Sequence, residues 1–139
     1  MALARRRIQF RLVTWPSADL PGRSPAGWID ERPWGQVRLI DQGDGFQVKR
    51  LEVLPGRRLS LQRHRYRSEH WHVVRGVATT TVGAAEVELG AAGSIDIAVG
   101  ELHRLANHGG TDLVVVEVGR GTYLGDDDIE RFADDFGRA

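Results

Sequence analysis

From Arg32 onward the chain is built of short apolar runs, each ended by turn residues. Such runs appear at Val37 to Ile40, Phe46 to Leu54, Leu59 to His64, His70 to Val74 and Val77 to Val82. They continue at Ala85 to Leu89, Ser94 to Ala98, His103 to Ala106 and Leu113 to Val118. Gly, Asp, Asn and Pro fill the gaps. Many short strands with regular turn signals predict an all-β fold, an antiparallel sandwich or barrel. The end of the chain predicts its one helix. Asp126, Asp127 and Asp128 can cap and charge the start of a short helix over Ile129 to Phe132, and this acidic run is expected to be solvated. Residues 1–31 read differently. Ile8 to Thr14 suits one strand, and the following stretch through Pro16, Pro21 and Pro25 is loop-rich. This is expected to be an N-terminal arm that packs on the body or on a partner chain, with residues 32–139 as the main domain.

Length changes the picture little: 139 residues suit one domain. The 19 basic and 19 acidic residues cancel, which gives no general attraction to nucleic acid or an anionic membrane. No apolar run nears the roughly 20 residues of a membrane span, and no signal peptide is evident, so a cytoplasmic protein is expected. The absence of cysteine excludes disulfides and thiolate metal sites. Lys49 is the only lysine.

Without thiolates, any metal must be held by nitrogen and oxygen, and one constellation offers both. Gln62 and His64 stand two apart on a predicted strand, so they share a face. Glu69 begins the next strand, where a hairpin can bring it opposite His64. His103 follows a later turn. Two imidazoles, a carboxylate and an amide oxygen form a plausible set for Zn²⁺ or another first-row divalent ion. His70 and His72 have the opposite parity to Glu69 and are expected to point outward. His108 is expected to be exposed.

At these residues the two histidine segments resemble the paired motifs of the cupin superfamily. A narrower resemblance covers Arg32 to Arg138. Arg32-Pro33-Trp34-Gly35, Val48-Lys49-Arg50, Arg58-Leu59-Ser60-Leu61-Gln62, Glu69-His70-Trp71, His103-Arg104-Leu105-Ala106-Asn107 and Tyr123-Leu124-Gly125 with Asp127-Asp128-Ile129 look like the type II mannose-6-phosphate isomerase domain. That domain commonly follows a mannose-1-phosphate guanylyltransferase domain. The resemblance implies a cupin double-stranded β-helix, or jelly-roll barrel, here expected to be freestanding. It implies interconversion of mannose 6-phosphate and fructose 6-phosphate through an enediolate. It also implies one divalent metal on Gln62, His64, Glu69 and His103. Zn²⁺ is expected first, with Co²⁺, Mn²⁺, Ni²⁺ or Fe²⁺ as alternatives. Arg67 matches an arginine implicated in activity. Arg63, Asp96, Ala98, Leu102 and Arg120 depart from the family pattern, and they bear on which sugar is taken.

Isomerisation needs a polarised carbonyl, a proton carrier and a phosphate anchor. Alternation nominates further residues. If Leu51 and Val53 face inward, so does Lys49. With Gln62 and His64 inward, Ser60 and Arg58 share their face. One parity places Glu117 inside. Arg67 faces the cavity only if strand geometry already holds there, and an arginine at a turn would carry little packing. Lys49, Arg67 and Glu117 are the candidates for proton transfer and electrostatic stabilisation. Arg58, Arg120 and Ser60 are the candidates for substrate contact, arginine forks suiting phosphate. The bland alternative is a Lys49–Glu117 ion pair in the barrel wall. Trp71 is expected in the core. The partner is expected to be a small sugar phosphate, with neither nucleic acid nor membrane, and the chain is expected to form a homodimer. An isomerase or epimerase of another sugar, an oxygenase and a sugar-sensing cupin remain as alternatives.

Overall fold

The computed structural model describes residues 27–139. The strand expected at Ile8 to Thr14, and most of the expected arm, lie outside the described residues. Among those described there are eleven strands. They are β1 (Ile29–Arg32), β2 (Gly35–Gly43), β3 (Phe46–Val53), β4 (Leu61–Arg63), β5 (Arg67–Arg75) and β6 (Ala78–Val82). The rest are β7 (Ala85–Leu89), β8 (Ser94–Ile97), β9 (His103–Ala106), β10 (Leu113–Gly121) and β11 (Glu130–Ala133). One sheet has the order β1-β2-β3-β10-β5-β8 and the other β11-β4-β9-β6-β7. All pairings are antiparallel. No helix among the described residues is long and apolar enough to cross a membrane.

Period-two alternation explains why these segments pair as they do. On β5 Arg67, Glu69, Trp71 and Val73 are buried, whereas His72 and Val74 are exposed and His70 lies between. The inner face of the larger sheet therefore consists of cross-strand rows. One row is apolar throughout: Val37, Leu51, Val115 and Val73. The next carries charge: Leu39, Lys49, Glu117, Trp71 and Ile95. The third is Gln47, Gly119, Glu69 and Ile97. One half of the interior is thus a hydrophobic core, in which Trp71 packs with Leu51, Val53, Val73, Leu105, Leu113 and Val115. The other half is polar.

Two expectations about the C-terminal end are corrected. Residues Ile129 to Phe132 do not form a helix. Only a 3₁₀ turn at Asp126–Asp128 precedes strand β11, which pairs with β4. One turn of helix fixes several residues for a single hydrogen bond, and here the edge of β4 offers a full ladder instead. Arg63 secures that edge by pairing with Glu130 at 2.8 Å and lying over the Phe132 ring at 5.1 Å. The acidic run is not merely solvated. The Asp128 carboxylate accepts the backbone N–H groups of Arg65 and Tyr66, both at 3.0 Å. Asp126 pairs with Lys49 at 3.5 Å and Arg32 at 3.3 Å. At the other end β1 runs across residue 31 and joins the sheet through Ile29↔Arg38 to Arg32↔Gly35.

A glycine sets how closely β10 approaches the start of β5. Gly121 lies opposite Arg67, and a Cβ there would sit 1.9 Å from the Tyr66 carbonyl oxygen and 2.7 Å from the Arg67 Cα. Backbone, not a flexible side chain, blocks it. Gly121→Ala is expected to cost about 2 kcal/mol or more, read as a lower denaturation midpoint. A midpoint equal to wild type would show that this close approach is not required.

Candidate metal centre

Three elements meet at the polar end of the interior. Gln62 on β4 lies directly opposite His103 on β9, so both point to the same side of the smaller sheet. The chain then leaves that sheet, and Glu69 arrives from the larger one. The expected hairpin between His64 and Glu69 is absent, because β4 and β5 belong to opposite sheets. The two side chains face each other across the interior instead. His64, Glu69 and His103 each place one ligand atom within 4.8 Å of the others, and all three are buried.

The donor set fits a cation. His103 Nδ1 contacts the Glu101 carbonyl at 2.8 Å, and only an N–H can make that bond. His64 Nδ1 similarly faces the Asp128 carbonyl at 3.4 Å. Both Nε2 lone pairs therefore turn toward Glu69. His64 Nε2 lies 2.9 Å from Glu69 Oε1 and His103 Nε2 lies 3.6 Å from Glu69 Oε2. Glu69 Oε2 and His103 Nε2 are both buried without a hydrogen-bond partner. Lone pairs aimed at a buried carboxylate repel unless a positive charge sits between them. Burial pushes the Glu69 carboxyl up, yet the His64 contact, His103 and Arg67 hold it well below the usual carboxylate range. Burial pushes the His103 imidazole down, which favours the neutral, ligating form. Gln62 Oε1 accepts a hydrogen bond from the Ser60 hydroxyl at 2.8 Å, which fixes the amide and leaves the oxygen's second lone pair free.

Around this cluster the cavity is lined by Gln47, Lys49, Ser60, Gln62, Arg67, Glu69 and Glu117, with Trp28, Arg32, Asp126, Arg131 and Arg138 among its other walls. Strand geometry does hold at Arg67, the first residue of β5. Its guanidinium is buried, with Nε donating to Glu69 Oε1 at 3.1 Å and one terminal nitrogen 3.3 Å from His64 Nε2. The expectation that Arg67 carries little packing is therefore corrected. Burial pulls Arg67 down, but Glu69 and Glu117 outweigh it and keep the guanidinium charged. Glu117 accepts the Trp71 indole N–H at 3.0 Å. Burial, then repulsion from Glu69, raises its carboxyl above the usual range against the pull of Lys49 and Arg67. The wall ion pair differs from the bland alternative, since Lys49 contacts Asp126.

Two nominated residues do not reach this cavity. Arg58 makes a surface pair with Asp135, with contacts of 2.8 and 2.9 Å, and Arg120 is exposed on the outer face of β10. Alternation fails at Arg58 because β4 begins only at Leu61. At Arg120 alternation itself opposes an inward side chain, because Glu117 and Gly119 face in. Conversely, Arg32, Asp126, Arg131 and Arg138 line the cavity and were not anticipated. Reading Glu130–Ala133 as a strand would have found Arg131, which lies opposite Gln62. His70 pairs with Asp96 on the outer face at 2.6 Å, and His72 and His108 are exposed, as their parity and turn position implied.

A double antiparallel sheet that buries two histidines and a carboxylate between its layers defines a cupin. Solved structures agree on the fold. The capsular polysaccharide assembling protein CapF from Staphylococcus aureus superimposes with a TM-score of 0.68 at 20% identity, over 77% of this chain and 34% of that one. An oxalate decarboxylase from Lactobacillus farciminis gives 0.66 at 21% identity, over 76% and 33%. Within the class, the chain belongs to the family described as mannose-6-phosphate isomerase C-terminal, which matches residues 29–134. Its relatives include the xanthan biosynthesis protein XanB of Xanthomonas campestris, 50% identical over 96% of this chain and 29% of the relative. The alginate biosynthesis protein AlgA of Pseudomonas aeruginosa is 49% identical over 99% of this chain and 29% of the relative. A mannose-1-phosphate guanylyltransferase of Escherichia coli is 49% identical over 77% and 22%. The chain thus spans less than a third of the length of these relatives.

The centre predicts about one divalent ion per chain on purification, measured by elemental analysis. His103→Ala removes a buried nitrogen donor and is expected to lose most of it. Full metal content in a folded His103→Ala protein would contradict the arrangement.

Proposed function

We propose that this chain is a metal-dependent aldose–ketose isomerase that interconverts mannose 6-phosphate and fructose 6-phosphate. The observation that carries the proposal is the buried pair of unpartnered atoms, Glu69 Oε2 and His103 Nε2, 3.6 Å apart, with Glu69 lining a cavity that Lys49, Arg67 and Glu117 also line. Family membership supports the sugar-phosphate substrate. The names of XanB and AlgA support a place in polysaccharide biosynthesis.

In this reading His64, Glu69, His103 and the oxygen of Gln62 hold one divalent cation, with Zn²⁺ the first expectation. When bound, that ion supplies a Lewis acid that polarises the sugar carbonyl and stabilises the enediolate. The chain's own residues do the rest. Ser60 keeps the Gln62 oxygen turned inward. Arg67 fixes Glu69 and keeps a positive charge beside the reacting edge. Glu117 moves the proton between C1 and C2, because burial keeps its pKa nearer working pH than an ordinary carboxylate. Trp71 aims that carboxylate. Lys49, opposite Glu117 in the β3–β10 register, offsets charge when the carboxylate ionises.

With metal restored, the protein is expected to convert fructose 6-phosphate to mannose 6-phosphate. A base must be deprotonated, and the Glu117 pKa is raised, so kcat/KM should climb with pH through a value above the usual carboxylate range. Glu117→Gln is expected to remove that acid limb and to cost roughly 100- to 10,000-fold in kcat. An unchanged limb and rate in Glu117→Gln would dismiss Glu117 as the base. No turnover in the metal-loaded wild type would dismiss the isomerase reading itself.

A further inference from the structure

The proposed reaction leaves the substrate's phosphate without a holder. Arg58 and Arg120, the residues nominated for it, both lie outside the cavity. The cavity wall nevertheless carries arginines that the reaction does not use. Arg131 stands out among them. Its place on β11 directly opposite Gln62 turns it to the same side as the metal-centre residues. Its Nε is buried with no hydrogen-bond acceptor, and it makes no salt bridge among the described residues. A buried N–H that has lost water and found no acceptor is costly unless something else supplies one.

Its neighbours sharpen the requirement. Arg32 and Arg138 line the same wall. Arg138 is committed by a two-pronged pair to Asp134 at 2.8 Å, and Arg32 is committed to Asp30 and Asp126. Burial, then repulsion from Arg138 and Arg32, lowers the Arg131 pKa, whereas Asp134 and Asp126 only partly compensate. Of these three arginines only Arg131 makes no salt bridge among the described residues. Planar forks match phosphate oxygens in pairs. The register places this fork one side chain away from Gln62, so one end of an extended sugar would lie at the metal centre and the other at Arg131.

We propose that Arg131, flanked by Arg32, is the anion subsite that anchors the phosphate of a phosphorylated sugar in this cavity. The assignment rests on the isomerase reading for the sugar but not for the phosphate. The test is calorimetric titration of the metal-loaded full chain with fructose 6-phosphate, with fructose and with inorganic phosphate. Wild type is expected to bind fructose 6-phosphate well above fructose, and to bind inorganic phosphate. Arg131→Gln, with its metal retained, is expected to weaken both phosphate ligands roughly 10- to 100-fold and to leave fructose unchanged. If Arg131→Gln does not fold, Arg131→Lys keeps the charge without the fork and is expected to weaken phosphate binding by several-fold. Wild-type phosphate affinity in either folded variant overturns the subsite and leaves the isomerase reading intact. A wild type that binds neither inorganic phosphate nor fructose 6-phosphate above fructose also overturns it. Arg131-dependent phosphate binding without turnover of any hexose phosphate upholds the subsite and removes the isomerase reading instead.

Discussion

A fully buried carboxylate governs this molecule. Glu69 lies 3% exposed between the two sheets, and an ionised group there is tolerable only if positive charge meets it. One oxygen is met by the Arg67 guanidinium at 3.1 Å, with His64 Nε2 2.9 Å away. The other faces His103 with nothing bonded to it. Much of the surrounding architecture serves this carboxylate. β5 carries both Glu69 and Arg67. The absence of a side chain at Gly121 lets β10 approach the Tyr66–Arg67 backbone from which the guanidinium extends. The 3₁₀ turn closes over the same end, and its Asp128 fixes the connection that carries His64 between sheets.

The same constraint divides the interior. The apolar row of Val37, Leu51, Val115 and Val73 can hold the sheets together by burial alone. The polar rows cannot, since each charge they bury must be answered locally. Trp71 joins the two regimes. Its ring belongs to the core and stacks edge-on against His103 with centroids 5.6 Å apart, while its indole N–H reaches Glu117. Core packing thereby sets the position of both a proposed ligand and the proposed base. The cavity wall differs again, since of its arginines Arg131 alone makes no salt bridge among the described residues.

Much of this was legible in the chain. Strands such as Phe46–Val53 and Ala85–Leu89 announce themselves through period-two patterning and flanking turns. His64, Glu69 and His103 do come together as expected, but across the interior and not through the hairpin that spacing suggested. What misled was extrapolation beyond regular structure. Parity carried from Gln62 back to Arg58 crosses an irregular stretch, where alternation has no meaning. The tail misread as a helix hid Arg131, because four residues of mixed character fit either period and only the free edge of β4 decides between them. The crossing from β4 into the opposite sheet was also invisible, since a three-residue connection can serve a hairpin as well as a change of sheet.

The central claim is that Glu69 completes its environment with a divalent cation. Thermal unfolding of metal-stripped protein, with and without one equivalent of Zn²⁺, tests it most directly in wild type and Glu69→Gln. A ligand at 100 times its dissociation constant stabilises the native state by about 2.7 kcal/mol. The account predicts a clear rise in the wild-type midpoint on adding metal, and little or none in Glu69→Gln. An equal rise in both proteins would contradict it.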